Sequence, residues 1–157
     1  MKREDTIDYN IKVAWHAISR MYNQYGQGFD ITASTGFVLL NIDAEEGTPA
    51  TKIAPMMGLE ARSLTRMLKT MEEKKWIYRE KDPIDGRSVR IFLTDLGKEK
   101  RVFSRNAVRE FNSRVYELVS EDKMKAFIEV TQTVIKLIDD KNLFNKLAEE
   151  FIYETNH

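Results

Sequence analysis

Apolar positions recur at helical spacing over most of the chain, and one short stretch of period two interrupts them. From about Thr6 to Tyr25, the residues Ile7, Ile11, Ala14, Ile18, Met21 and Tyr25 follow one another at intervals of 4-3-4-3-4, a heptad stripe. Ala14 is its small member and lets another helix approach closely. Trp15 and Tyr22 lie off the stripe and give the helix a second aromatic face, and Gly26 and Gly28 are expected to end it. Ile31-Thr32 opens a second helix with Thr32 as N-cap and Val38, Leu39 and Ile42 turned inward, expected to run to near Glu46-Gly47. Thr48-Pro49 predicts the start of a third, with proline at the first helical position, where its missing N–H costs nothing. That helix buries Ile53, Ala54 and Met57 and stops at Gly58, and Pro55 inside it breaks or distorts one backbone hydrogen bond. A fourth helix, from about Glu60 to Lys75, buries Leu64, Met67, Leu68 and Met71 at i, i+3, i+4 and i+7.

The period then changes. Trp76-Ile77-Tyr78-Arg79-Glu80 and Val89-Arg90-Ile91-Phe92-Leu93 read as strands, and Asp82-Pro83-Ile84-Asp85-Gly86 between them is turn chemistry. A β-hairpin therefore sits between helices. Thr94 caps a long helix to about Val119, with Val102, Phe103, Ala107, Phe111, Val115 and Leu118 expected on its inner face. Ser120-Glu121-Asp122 starts another, striped by Met124, Phe127, Ile128, Thr131, Val134, Ile135 and Ile138. Leu143, Leu147, Phe151 and Ile152 predict a short terminal helix.

The fold class is mainly α with a small β-hairpin wing. Residues 31–100 form a winged helix-turn-helix domain, flanked by an N-terminal helix in residues 1–30 and C-terminal helices in residues 101–157. Composition narrows the function. The 157 residues are 42% hydrophobic and 32% charged, and no apolar run approaches a membrane span, so no membrane partner is expected. There is no cysteine, which excludes disulfides, thiol catalysis and thiol redox sensing, and no apolar leader follows Met1, so a cytoplasmic protein is expected. No phosphate loop, dinucleotide fingerprint, nucleophile elbow or metal-ligand cluster appears, so neither an enzyme, a metal nor a cofactor is expected. Net charge is zero but unevenly spread: residues 50–105 hold 14 Lys/Arg against 8 Asp/Glu, and both flanks are acidic. A basic middle between acidic arms fits a nucleic-acid reader with separate assembly segments, and by this count alone ordinary charge fluctuation equally well.

Two helices joined by a tight turn and followed by a basic-tipped hairpin can place the second helix in the major groove. On that helix Arg62, Arg66 and Lys69 fall at i, i+4 and i+7, and Ser63 and Thr65 are short enough to let it approach the duplex. At the hairpin, Arg87 is the candidate for the minor groove and Arg90 a further candidate contact. Asp85 is expected to hold the guanidinium of Arg87 or Arg90 by a charge-assisted bond. A charged stripe also fits a merely solvated helix face, and the hairpin that follows favours DNA.

At these residues the chain resembles the MarR family of bacterial transcription regulators. Thr51-Lys52-Ile53-Ala54, Gly58-Leu59-Glu60-Ala61-Arg62-Ser63-Leu64-Thr65-Arg66 and Asp85-Gly86-Arg87-Ser88-Val89-Arg90-Ile91-Phe92-Leu93-Thr94 carry the resemblance. It departs from the family's pattern at Thr35, where glutamine is frequent, at Lys75, where glycine is, at Gly86, where a basic residue is, and at Pro55. The resemblance implies a homodimer built by the terminal helices. Such a dimer binds a pseudo-palindromic double-stranded DNA site, most often as a repressor, and releases it when a small effector enters a cleft beside the head. The heptad stripe agrees with dimerisation independently. Trp15 and His16 are the candidates for contacting an apolar or anionic effector, and Tyr9, Tyr22 and Tyr25 are expected chiefly at the interface. The competing reading is a dimeric winged-helix adaptor or anti-repressor that binds protein through the same surface.

Overall fold

A computed structural model describes residues 1–140 together with Asn145, Lys146 and Glu149, and its chain forms two compact units, Met1–Glu110 and Phe111–His157. The expected terminal helix on Leu143, Leu147, Phe151 and Ile152 lies outside the described residues. The first unit carries α1 (Ile7–Gly26), α2 (Ala33–Leu40), β1 (Thr48–Pro49), α3 (Ala50–Met56), α4 (Ala61–Glu73), β2 (Ile77–Lys81) and β3 (Val89–Leu93). It also takes in the start of α5 (Asp95–Leu118). The second unit holds the end of α5 and α6 (Glu121–Asp139).

The core of the first unit joins α2, α3, α4 and the sheet. Val38, Leu39, Ile42, Ile53, Met71 and Ile91 are all fully buried there. Each such side chain contributes about 1.5–3 kcal/mol relative to exposure. Thr32 caps α2 as expected and does so reciprocally. Its Oγ1 accepts from the Thr35 N–H at 3.2 Å, and its own N–H donates to Thr35 Oγ1 at 2.9 Å. Thr35 thus does what a longer Glu or Gln does at this place in a capping box.

Several expectations are corrected. Tyr22, expected at the dimer interface, is buried within this chain, while Ile7, Ile11 and Tyr25 of the α1 stripe are exposed, as a partner-facing stripe requires. Tyr22 meets Phe37 edge-on at 6.0 Å, so α2 covers the aromatic face instead. Gly28 is not the helix stop. Gly26 ends α1, where any Cβ would run into the Ile31 carbonyl, and the left-handed residue is Asp30 at φ 59°. Helix α2 ends at Leu40 rather than near Gly47, because side chains take over the backbone groups beyond it. The Asn41 amide donates to Phe37 O, and Asp43 Oδ1 accepts from the Glu45 and Glu46 N–H groups.

Thr48-Pro49 does not begin a helix. It forms an edge strand opposite Ile91 and Arg90, turning the expected hairpin into a three-stranded antiparallel sheet of order β1-β3-β2. An edge suits proline, which has no N–H to give to a further strand. Along α5, Val102 and Leu118 are exposed, while Ser104 and Ala107 are buried. Ser120 sits at the N-cap of α6 but its side chain makes no capping bond, and no residue of α6 is buried. Phe127, Ile135 and Ile138 remain more than half exposed on that helix, at 59%, 59% and 64%.

Candidate nucleic-acid interface

The turn between α3 and α4 is built by Gly58, at φ +61°. The Leu59 N–H reaches Ala54 O at 3.0 Å and the Gly58 N–H reaches Pro55 O at 3.1 Å, the paired bonds of a Schellman ending. Pro55 is accommodated inside α3, which closes one residue later. From this turn α4 drives Leu64, Leu68 and Met71 into the core, which leaves Arg62, Ser63, Thr65, Arg66 and Lys69 on the exposed side. Thr65 Oγ1 donates back to Ala61 O at 2.9 Å, so its proton is committed while its lone pairs stay available.

Two cations close to this face are held in ion pairs. Arg79 donates to Glu72 at 2.9 Å, tying β2 to the tail of α4, and Lys74 meets Asp30 at 2.6 Å. Among the described residues, Arg62, Arg66, Lys69 and Arg87 form no ion pair and are exposed. Beside α4, Arg62, Ser63 and Arg66 border a hollow shared with Ser34 of α2 and with Leu59 and Met67.

The wing is held more tightly than its turn-like sequence implies. The Asp82 N–H donates to Ser88 O at 2.9 Å and the Ser88 N–H to Asp85 O at 2.8 Å, closing the loop at its base. Asp85 does not grip a guanidinium as expected: its Oδ1 accepts from the Arg87 backbone N–H at 3.1 Å. Asp82 takes that part instead. Its Oδ1 accepts from the Ile84 and Asp85 N–H groups, and its Oδ2 accepts from Arg90 Nε at 3.1 Å. The two backbone N–H groups and then the Arg90 charge hold the Asp82 carboxyl below its ordinary 3.8. Arg90 is accordingly half-buried and engaged, with Nη1 donating also to Glu46 O and Gly47 O. Arg87 stands free on the loop between these anchors. Sequence reasoning missed Asp82; the available signal was an aspartate one residue before the loop proline, eight residues before an arginine.

The expected effector contacts are divided. Trp15 borders a hollow with Phe37, Asn41, Met56 and Met57, and His16, exposed on α1, borders neither that hollow nor a small aromatic cleft between α1, α2 and α5. This cleft is lined by Tyr22, Tyr25, Phe37 and Phe103 with Thr32, Gly36 and Ser104 among its smaller groups. Its volume is about 20 Å³, space for a single water, and no cationic side chain lines it. Burial raises the Tyr22 phenol above its ordinary 10.0, so it presents a neutral hydroxyl. Among the described residues, no cluster of three His, Cys, Asp or Glu could hold a metal, and no helix is long and apolar enough to cross a membrane.

Comparison with known proteins places this architecture. A sequence profile of the MarR family matches residues 31–89, the span from α2 through the wing to the first residue of β3. The HTH-type transcriptional regulator SarZ of Staphylococcus aureus strain MRSA252 is 30% identical over 96 residues, covering 60% of this chain and 65% of SarZ. The chain thus spans just under two thirds of the length of that relative. The transcriptional repressor CouR bound to a 23-mer DNA duplex aligns with a TM-score of 0.72 at 25% identity, covering 84% of this chain and 94% of CouR. CouR from Rhodococcus jostii RHA1 bound to p-coumaroyl-CoA gives 0.76 at 19% identity, over 85% and 94%, a likeness of fold.

Proposed function

We propose that this chain is a MarR-family protein and a sequence-specific, double-stranded-DNA-binding transcriptional regulator rather than an enzyme. It acts in the cytoplasm as a homodimer and a ligand-responsive repressor. The observation that carries this reading is the set of exposed cations Arg62, Arg66 and Lys69 on one side of α4, with Arg87 on the wing, none of them engaged in an ion pair among the described residues, whereas Lys74, Arg79 and Arg90 are paired. Arginines of that kind reach base edges in the major groove, and a wing arginine suits the narrow minor groove beside it. The repressor CouR, of the same architecture, is bound to duplex DNA in its structure. Two heads related by a two-fold axis read half-sites about one helical turn apart. Exposed Ile7 and Ile11 on α1, and Phe127 and Ile135 on α6, supply apolar faces for the dimer.

The effector reading moves from Trp15 and His16 to the aromatic cleft between α1, α2 and α5. Rings, hydroxyls and no cation suit a neutral, flat, apolar molecule better than an anion. Entry requires the rings to part, which displaces α2, the helix ahead of the reading head. Neither ligand nor induced movement is needed for the DNA-binding test.

That test is a fluorescence-anisotropy titration of a short duplex at several salt concentrations. The parent should bind with log K falling linearly in log salt, about 0.9 per phosphate contact. The triple variant Arg62→Ala, Arg66→Ala, Lys69→Ala should remain dimeric by light scattering and lose most of both affinity and slope. A folded parent without duplex binding at low salt would overturn the reading in favour of a protein-binding adaptor.

A further inference from the structure

Arg90 was a candidate DNA contact by its place on the wing, and its surroundings argue for another part. The side chain is 17% exposed and the Asp82 side chain it meets is 6% exposed. Its Nε is committed to Asp82 Oδ2 at 3.1 Å, and its Nη1 to Glu46 O at 3.1 Å and Gly47 O at 3.2 Å. Reaching a phosphate would strip the guanidinium from three acceptors and leave a buried carboxylate without its cation, which is costly. Those acceptors belong to two different segments. Asp82 is the base of the wing loop, whose Ile84 and Asp85 N–H groups it also holds. Glu46 and Gly47 belong to the loop that leads into β1 and α3, the first helix of the reading head. Gly47 is itself pressed against the wing: at φ +65°, a Cβ there would come within 2.6 Å of Ile91 O and 2.7 Å of the Phe92 ring.

We propose that Arg90 and Asp82 are positioning residues that lock the wing to the base of the reading head, so that Arg87 is presented to DNA in one pose. This rests on the DNA-binding reading above. The arrangement accounts for a wing tip made only of turn residues keeping a fixed direction: one carboxylate fastens the loop internally, and one guanidinium fastens the carboxylate to a separate segment.

The experiment is a double-mutant cycle between Arg90→Gln and Arg87→Ala, read as duplex affinity and salt slope on the intact dimer. Arg90→Gln should weaken binding about tenfold and lower the salt slope by about one, the signature of losing the Arg87 contact. In the Arg87→Ala background the same change should have almost no further effect, since the residue it positions is gone. Arg90→Lys keeps the charge but not the fork, and should behave like the glutamine variant. Hydrogen exchange at Ile84 and Asp85 should quicken in Arg90→Gln while amides in α4 stay protected, and Asp82→Asn supplies the same test should Arg90→Gln fail to fold. Additive losses with a slope reduced by two would overturn the proposal and make Arg90 a DNA contact, as would full affinity in Arg90→Lys. Unchanged affinity in Arg90→Gln would overturn it in favour of a purely local role. Failure of the parent itself to bind duplex would remove the DNA-binding reading, and this proposal with it.

Discussion

Lys75 holds a left-handed backbone at φ +58° one residue beyond the cap of α4, where the chain turns back from helix to strand. The Trp76 N–H reaches Met71 O and the Lys75 N–H reaches Glu72 O, both at 2.9 Å, so α4 ends in the same bond pattern that Gly58 gives α3. An L-residue there bears about 1–2 kcal/mol of strain, and glycine escapes it at an entropic cost of about 0.5–1 kcal/mol. Lys75→Gly should therefore raise stability by up to about 1 kcal/mol, or about 2–4 °C in melting temperature for a chain of this size. A lower melting temperature would mean that the lysine stem contributes packing that outweighs the strain. Asp82 gives a second residue-level prediction. Its pKa is lowered in the folded state, so its stabilising effect is complete above the ordinary 3.8 and is lost as pH falls through the lower folded value. The gap in melting temperature between the parent and Asp82→Asn should hold from pH 7 to 5 and close only below 3.8. A gap that closed near neutral pH would assign the effect to another group.

At the scale of elements, periodicity identified helices and strands because spacing alone decides which side chains share a face. It could not decide what covers that face. The stripe of Ile7, Ile11 and Ile18 is equally good for a core or for a second chain, and in the single chain α2 packs on Tyr22 instead. Thr48-Pro49 likewise fits a helix start and an edge strand, and only β3, some forty residues on, chooses. The part Asp82 plays stayed hidden for the same reason. Asp-Pro reads as a turn, and its partner comes near only through the register that sets Lys81 opposite Val89 and Glu80 opposite Arg90. The exposed face of α4 was legible in advance because it depends on one element alone: once Leu64, Leu68 and Met71 point inward, the exposure of Arg62, Arg66 and Lys69 follows. The apolar faces themselves yield a prediction. Phe127→Glu with Ile135→Glu on α6 should give folded monomers by light scattering, whereas an unchanged dimer would place the interface elsewhere.

Taken whole, the molecule separates a basic reader from acidic flanks. Residues 50–105 hold 14 Lys/Arg against 8 Asp/Glu within a chain of zero net charge, so on the proposed reading attraction to DNA is local to the head and wing. The proposed dimer would present two heads in two-fold symmetry, and the symmetry of the protein would dictate the symmetry of the site. The most direct measurement is selection of random duplexes by the purified protein, followed by titration of the enriched sequence at several salt concentrations. The expected result is a two-fold symmetric site with half-sites about one helical turn apart, bound by two chains with a steep salt slope. Folded, dimeric protein that enriches no sequence would contradict it.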